Sequence, residues 1–299
     1  MYKIIQKRKI WLSISGTLVA MAIISLFVWG LRFGIDFTGG SLLEVKFSNN
    51  QPAVTEIQET LKDTGLSSLT VQPMEGGIFI LRFQENSEET HQALLSKLNE
   101  FAAGKGDTVE ELRFDSIGPS VGKELKSKSF NAIIIVLIII IAYIAFAFRK
   151  ISKPVASWKY GLAAIIALAH DVLITLGVFA VLGHYYGTEI NTPFVAALLT
   201  LLGYSINDTI VVFDRIRENL PRSEEDFEGT VNTSVNQTMA RSVNTSLTVL
   251  LVLFAILFWG GSTIHDFVLA LSIGVFVGTY SSIFVASPVL VVWEKMKKN

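Results

Sequence analysis

The side chains best placed for chemistry are two aspartates standing inside apolar runs. Asp171 follows His170 in "AHDVLITLG", and Asp208 follows Asn207 in "GYSINDTIVVFDRIREN". A carboxylate at the centre of a membrane span costs roughly 2.5–3.5 kcal/mol on insertion scales, so it marks a face turned to a bundle interior or a polar cavity. Asp208 lies 6 residues before the boundary charge Asp214, which is roughly 9 Å of helix. Asp171 is 11 intervening residues beyond Lys159, close to mid-membrane. Arg241 opens the apolar run 242–259, and its long side chain has the reach to turn toward Asp208 rather than snorkel to water. A carboxylate that alternates between a protonated and an arginine-paired state is the chemistry of a proton relay. Asp171, Asn207 and Thr245, the last one turn after Arg241 on the same helix face, are candidate relay or lining groups.

Other readings of the same residues stay open. Asp208 and Arg241 would also serve as a static ion pair fixing helix packing, and Asp171 as a neutral, hydrogen-bonded packing residue. As a hydrolytic dyad, the two carboxylates would have to share a proton within a few ångströms, and their depths place them at different levels. Asp214, Arg215 and Arg217 read as solvated boundary charges. Ser205 and Thr209 near Asp208, and the GxxxG of Gly274 and Gly278, belong to helices approaching closely.

These residues need a membrane body to position them, and the composition supplies one. The 299 residues are 51% hydrophobic and 17% charged, with a mean hydropathy of +0.49. Six stretches reach the length of about 20 apolar residues that a spanning helix needs: 11–31, 130–148, 160–182, 192–213, 242–259 and 267–293. The first is too long for a signal peptide and lacks a cleavage site, so it reads as a retained anchor. Lysine and arginine cluster at alternate ends of the spans: Lys3, Lys7, Arg8 and Lys9; Arg149, Lys150, Lys153 and Lys159; Arg215, Arg217, Arg222 and Arg241; Lys295, Lys297 and Lys298. The loops 183–191 and 260–266 carry none. By the positive-inside rule both termini are cytoplasmic. Absence of cysteine removes disulfides, thiolate metal sites and a cysteine nucleophile, and a net charge of −1 argues against a basic nucleic-acid binder.

The segment 32–129 differs from this body. It holds 25 of the 51 charged residues, with 10 basic and 15 acidic, the density of a water-facing domain. Its periodicity gives a strand through Leu43, Val45 and Phe47, a helix with Val54, Ile57 and Leu61 on one face and Pro52 in its first turn, and a hairpin over 69–83 turning at Gly76-Gly77. A second helix carries Leu94, Leu98 and Phe101 behind a cap at Asn86 and Glu89, and Leu112 and Phe114 alternate in a last strand. The order β-α-β-β-α-β predicts a ferredoxin-like α+β unit. His91 reads as a lone surface histidine. The expected organisation is therefore residues 1–31 as N-terminus and first helix, 32–129 as an extracytoplasmic α+β domain, and 130–299 as five further helices with cytoplasmic loops.

The order and wording of these motifs resemble the SecF family, subunits of the SecDF accessory complex of bacterial protein export and relatives of the RND-type transporters. The resemblance rests on "GIDFTGGSLLEV" at 34–45, "SIGPSVGKEL" at 116–125, "AHDVLITLG" at 169–177, the string at 203–219, "NQTMARSVNTSLT" at 236–248 and "SIGVFVGTYSSIFVASPVL" at 272–290. It implies that Asp208 and Arg241 serve proton conduction, and that a SecD partner supplies a further carboxylate. It also implies work beside a SecYEG-type translocon on an exported polypeptide in the bacterial cytoplasmic membrane, driven by the proton motive force. Neither enzymatic activity nor a cofactor is expected, protons being the coupling ion. The competing transporter reading is a self-sufficient RND-like exporter of small molecules, against which stand the single outside domain and only six spans. A purely structural assembly factor would tolerate apolar replacement of the buried charges.

Overall fold

The computed structural model describes residues 1–49, 51–66, 68–147 and 156–298. Arg149, Lys150 and Lys153 of the second basic cluster, and the last residue of the stretch 130–148, lie outside the described residues. The chain divides into two compact units, Met1–Arg32 with Asn131–Asn299, and Phe33–Phe130.

The first unit is helical. Its elements are α1 (Arg8–Val28) and, beyond the short helices and strands of the second unit, α5 (Pro119–Ala147, of which 119–130 belong to the second unit), α6 (Ser157–Tyr186), α7 (Thr192–Asn219), α8 (Phe227–Trp259), α9 (Ser262–Ser281), a π-helical turn (Ser282–Ala286) and α10 (Ser287–Lys298). Among the described residues six helices are long and apolar enough to cross a membrane. Burial sorts them: half or more of the apolar window is buried in α6, α7 and the α9–α10 rod, but only 17%, 6% and 22% in α1, α5 and α8. The first three therefore make the core and the others coat it. Tyr160, Phe213, Ile216, Val231, Val235, Ile283 and Leu290 meet in that core, with Tyr160 edge-on to Phe213.

Helix starts are set by local chemistry. Asn191 caps α7 by accepting the Phe194 amide at 3.0 Å, with Pro193 in the first turn. Asp226 caps α8 by accepting the Gly229 amide at 2.8 Å. That cap lies 16 residues before the expected apolar start at Ser242, so Arg241 sits in mid-helix rather than at a helix end. The polar first half of α8 is stable because it buries Thr230, Val231, Ser234, Val235 and Thr238. It also receives the N-terminal strap: Asn232 Oδ1 accepts the Ile4 and Ile5 amides at 3.0 and 3.2 Å. Glu228 pairs with Arg8 at 2.7 Å and with Lys295. At its other end α1 stops at Val28, short of residue 31, where Gly30 turns left-handed (φ +68°).

The second unit has α2 (Ile35–Thr38), β1 (Gly40–Phe47), α3 (Val54–Leu61), β2 (Thr70–Pro73), β3 (Ile78–Phe83), α4 (Glu88–Gly104) and β4 (Val109–Ile117). The strands form one antiparallel sheet in the order β2-β3-β1-β4. Leu43, Val45, Phe47, Phe79, Leu81 and Phe83 turn one face onto Ile57, Leu61, Leu94 and Leu98. Entry to β1 requires two glycines: Gly39 (φ +75°) has space only for hydrogen because a Cβ would lie 2.8 Å from Pro119 Cα, and at Gly40 (φ +115°) it would lie 2.6 Å from the Phe83 carbonyl oxygen.

Four local expectations change here. The α4 cap is Ser87, accepting the Thr90 amide at 3.2 Å, rather than Asn86. Pro52 precedes the α3 cap Ala53 instead of entering the helix. Leu112 is 42% exposed, because a bulge opposite Glu44 and Val45 leaves it without a register partner and breaks its alternation with Phe114. His91 is not a surface residue: it is buried, stacked on Phe114 with centroids 3.8 Å apart, its two ring nitrogens 3.1 and 3.2 Å from Glu88 and Glu111.

Candidate functional site

The apolar helices of the first unit converge on two carboxylates held by serines. Asp208, partly buried on α7, accepts Ser242 Oγ of α8 at 2.5 Å on one oxygen. Its other oxygen accepts Ser282 Oγ at the start of the π turn. Asp171, fully buried on α6, accepts Ser205 Oγ of α7 at 2.5 Å and Ser281 Oγ of α9 at 2.8 Å on Oδ2. Its Oδ1 lies 2.9 Å from His170 Nδ1. His170 is itself buried and stacks near Tyr280.

Each serine from α9 and the π turn has a second acceptor. Ser281 Oγ also lies 3.1 Å from the Gly278 carbonyl, and Ser282 Oγ 3.0 Å from the Thr279 carbonyl. A hydroxyl has one hydrogen to give and two lone pairs to receive with. Toward an ionised carboxylate it donates. Toward a protonated one it accepts, and its own hydrogen turns to the carbonyl. Both charge states of the carboxyl are thus hydrogen-bonded without moving a helix, which lowers the cost of burying it.

A hydroxyl chain continues from this point. Tyr204 Oη lies 2.9 Å from Ser246 Oγ, and Ser246 Oγ lies 2.5 Å from Thr279 Oγ1. Small residues allow the approach: a Cβ on Gly278 would stand 3.1 Å from Ser205 Cβ and 3.5 Å from Asp171 Oδ2.

The expected Asp208–Arg241 ion pair is not formed. Among the described residues no salt bridge joins them, and Arg241 is exposed on α8. Adjacency explains this: Ser242, the next residue, faces Asp208, and neighbours on a helix are turned about 100° apart. Thr245 and Asn207 are also exposed, and neither is among the hydrogen-bond partners of Asp171 and Asp208. Exposed Thr200, Gly203 and Asn207 on α7 and exposed Arg241, Thr245 and Thr248 on α8 instead form polar outer stripes on helices that are otherwise apolar. No hydrogen bond joins Asp171 to Asp208; each has its own serines. The two are nonetheless neighbours by their partners, since Ser205 lies 3 residues before Asp208 on α7 and Ser281 adjoins Ser282.

Reasoning from charge overlooked Ser242, Ser246, Thr279, Ser281, Ser282 and Tyr204. Their signal was present as Ser242 and Ser246 four apart in "RSVNTS", and as the run "GTYSS" within an apolar stretch.

Comparison with known proteins agrees with this layout. Residues 97–296 match the family described as "Protein export membrane protein SecD/SecF, C-terminal", and residues 24–51 match the "SecD/SecF GG Motif". Protein translocase subunit SecF of Thermobaculum terrenum is 44% identical over 98% of this chain and 94% of the relative. Its namesake from Synechocystis is 40% identical over 95% and 91%. Protein translocase subunit SecDF of Thermus thermophilus is 38% identical over 94% of this chain, which spans 37% of that longer protein. The crystal structure of Thermus SecDF, described as a translocon-associated membrane protein, superposes with a TM-score of 0.85 at 35% identity, covering 98% of this chain and 39% of that one. A super-membrane-facing form of SecDF gives 0.69 at 36% identity, covering 99% and 39%.

Proposed function

The chain belongs to the SecD/SecF family of protein export membrane proteins, and on that premise we propose that it is the SecF-type subunit of a proton-driven accessory complex of the Sec translocase. It assists polypeptide export across the bacterial cytoplasmic membrane, with Asp208 as the group that takes up and releases the proton. The observation that carries this reading is the setting of Asp208: a carboxylate inside an apolar helix, hydrogen-bonded by Ser242 and Ser282 and without a cationic partner. A structural ion pair would hold the aspartate charged. Reversible hydroxyl partners serve a group that changes charge.

The partner is SecD, which in the Thermus relative is joined with SecF in one SecDF chain. The polar stripes of α7 and α8 suit it. Thr200, Gly203, Asn207, Arg241, Thr245 and Thr248 are costly against lipid and favourable against another helix. Arg241, displayed on that face, is available to a carboxylate of the partner as well as to Asp208. The translocon channel and the exported polypeptide complete the assembly. The basic residues at alternate span ends support a topology with both termini in the cytoplasm and the unit Phe33–Phe130 outside. The element and strand order of that unit supports a ferredoxin-like fold.

In the proposed cycle a proton from outside neutralises Asp208. The hydroxyl of Ser282 reverses while Ser242 goes on donating to the other carboxyl oxygen, the balance between Asp208, Arg241 and the partner changes, and the helices shift. Release to the cytoplasm resets the site. Coupling demands that the two conformations bind the proton with different affinity. Vesicles containing this chain, its SecD partner and the translocon test the reading: Asp208→Asn is expected to abolish the part of export that depends on the proton gradient, and undiminished gradient-dependent export would refute it.

A further inference from the structure

Asp171 has no role in the cycle just described, yet it is the most deeply buried acid of the bundle and is wired to the same short segment as Asp208. Ser281 and Ser282 are consecutive residues, and each donates to a different carboxylate on a different helix. The π turn begins at Ser282. Turns of this kind insert one extra residue into a helix and recur at functional sites. Here the turn occupies buried space, with Ser287 Oγ reaching the Ser282 carbonyl at 3.4 Å. Around the pair, His170 of α6 contacts Asp171 and lies near the Tyr280 ring of α9, Tyr204 of α7 bonds Ser246, and Arg241 of α8 is exposed.

We propose that Asp171 is a second charge-holding group of the relay and that the Ser281–Ser282 dipeptide, at the head of the π turn, couples its state to that of Asp208. This rests on the reading of Asp208 as the proton-binding group. When Asp208 takes a proton, its new O–H donates to Ser282 Oγ. The Ser282 hydrogen then moves from the carboxylate to the Thr279 carbonyl, already 3.0 Å away. That carbonyl belongs to the turn carrying Ser281, whose own hydrogen chooses between Asp171 and the Gly278 carbonyl at 3.1 Å. The dipeptide therefore moves as one unit against two acids. Two carboxyls joined through one segment in this way are linked, the charge state of one setting which hydrogen bonds are open to the other. His170, with Nδ1 on Asp171 and Nε2 buried without a hydrogen-bond partner, gives the inner acid a second group to share a proton with.

The test is infrared difference spectroscopy on the full chain in lipid nanodiscs with carbon-13-labelled aspartate, the Asp171 band being identified by its loss in Asp171→Asn. The proposal expects Asp208→Asn to shift the Asp171 band, Ser282→Ala to shift it likewise, and Ser282→Thr, which keeps a hydroxyl, to leave it in place. In Ser281→Ala the band is expected to stop responding to Asp208→Asn. An Asp171 band unmoved by both Asp208→Asn and Ser282→Ala overturns the coupling, and so does a Ser282→Thr shift as large as that of Ser282→Ala. Proton-dependent export is read separately. If Asp208→Asn leaves export intact while the Asp171 band shifts, the relay reading fails and the coupling stands; the reverse result sinks the coupling alone.

Discussion

Replacing Gly177 with alanine tests whether the bundle is held as tightly as its small residues imply. A Cβ at that position would stand 2.4 Å from Ala22 Cβ, 2.5 Å from Ala22 Cα and 3.2 Å from the Ala22 carbonyl carbon. Carbon atoms rest comfortably at about 3.5–4.0 Å, so α1 and α6 must part by roughly 1 Å. No side chain can swing aside, because the obstructing atoms are backbone and a methyl group. A gap of that size forfeits a quarter to a half of each affected dispersion contact, and overpacking of this sort costs about 1–3 kcal/mol. The loss falls on a helix with little else to hold it, since only 17% of the apolar window of α1 is buried. Gly16 on the same helix is the control: it is exposed, and a Cβ there meets nothing within 4 Å. The assay is equilibrium unfolding of the purified chain in mixed micelles. Gly177→Ala is expected to lose about 2 kcal/mol, while Gly16→Ala stays within roughly 0.5 kcal/mol of the parent. Equal stability of the two variants would refute the close-contact argument.

Gly203 separates the chain alone from the chain in its complex. A Cβ there meets nothing within 4 Å, so Gly203→Ala is expected to leave the isolated chain at least as stable; if a partner helix packs on that stripe, it weakens association about 5- to 150-fold, the equivalent of 1–3 kcal/mol. Titration of labelled SecD partner in nanodiscs reads this, and unchanged affinity would remove α7 from the interface. In the second unit, Glu56 accepts from Lys105 at 2.6 Å and from the Ala53 amide at 2.9 Å, and these bonds, that to Lys105 first, hold its carboxyl below the usual glutamate range. A depressed folded value means support of the α3 start that is complete above about pH 4.3 and is lost as pH falls through the folded value. Hydrogen exchange at the first turn of α3 should accelerate on acidification in the parent and become insensitive to pH in that range in Glu56→Gln; an acid response surviving in Glu56→Gln would exclude this carboxyl as its source.

Membrane spans were legible because twenty apolar residues admit few alternatives, and Asp171 and Asp208 because a charge in such a run is conspicuous. What escaped was whatever depends on three-dimensional neighbours. Arg241 looked like a helix start because hydropathy changes there, yet the helix begins at Phe227, where polar residues find burial against the N-terminal strap and the core. It looked like a partner for Asp208 because opposite charges suggest pairing, but rotation along α8 gives Asp208 to Ser242. Serines carry no hydropathy signal strong enough to separate the four that hold carboxylates from those that merely return their hydrogen to a carbonyl one turn back. In the second unit the alternation of hydrophobic residues located β1 and β3, whereas the bulge at Leu112 and the burial of His91 depend on the neighbouring strand and on Phe114.

The central claim is that Asp208 exchanges a proton during transport, and proton flux measures it directly. Proteoliposomes holding this chain with its SecD partner, loaded with a pH-sensitive dye and given a proton gradient during translocation, are expected to acidify on the cytoplasmic-facing side. With Asp208→Asn that flux should fall to the level of protein-free liposomes. Flux through Asp208→Asn equal to that of the parent complex would contradict the account.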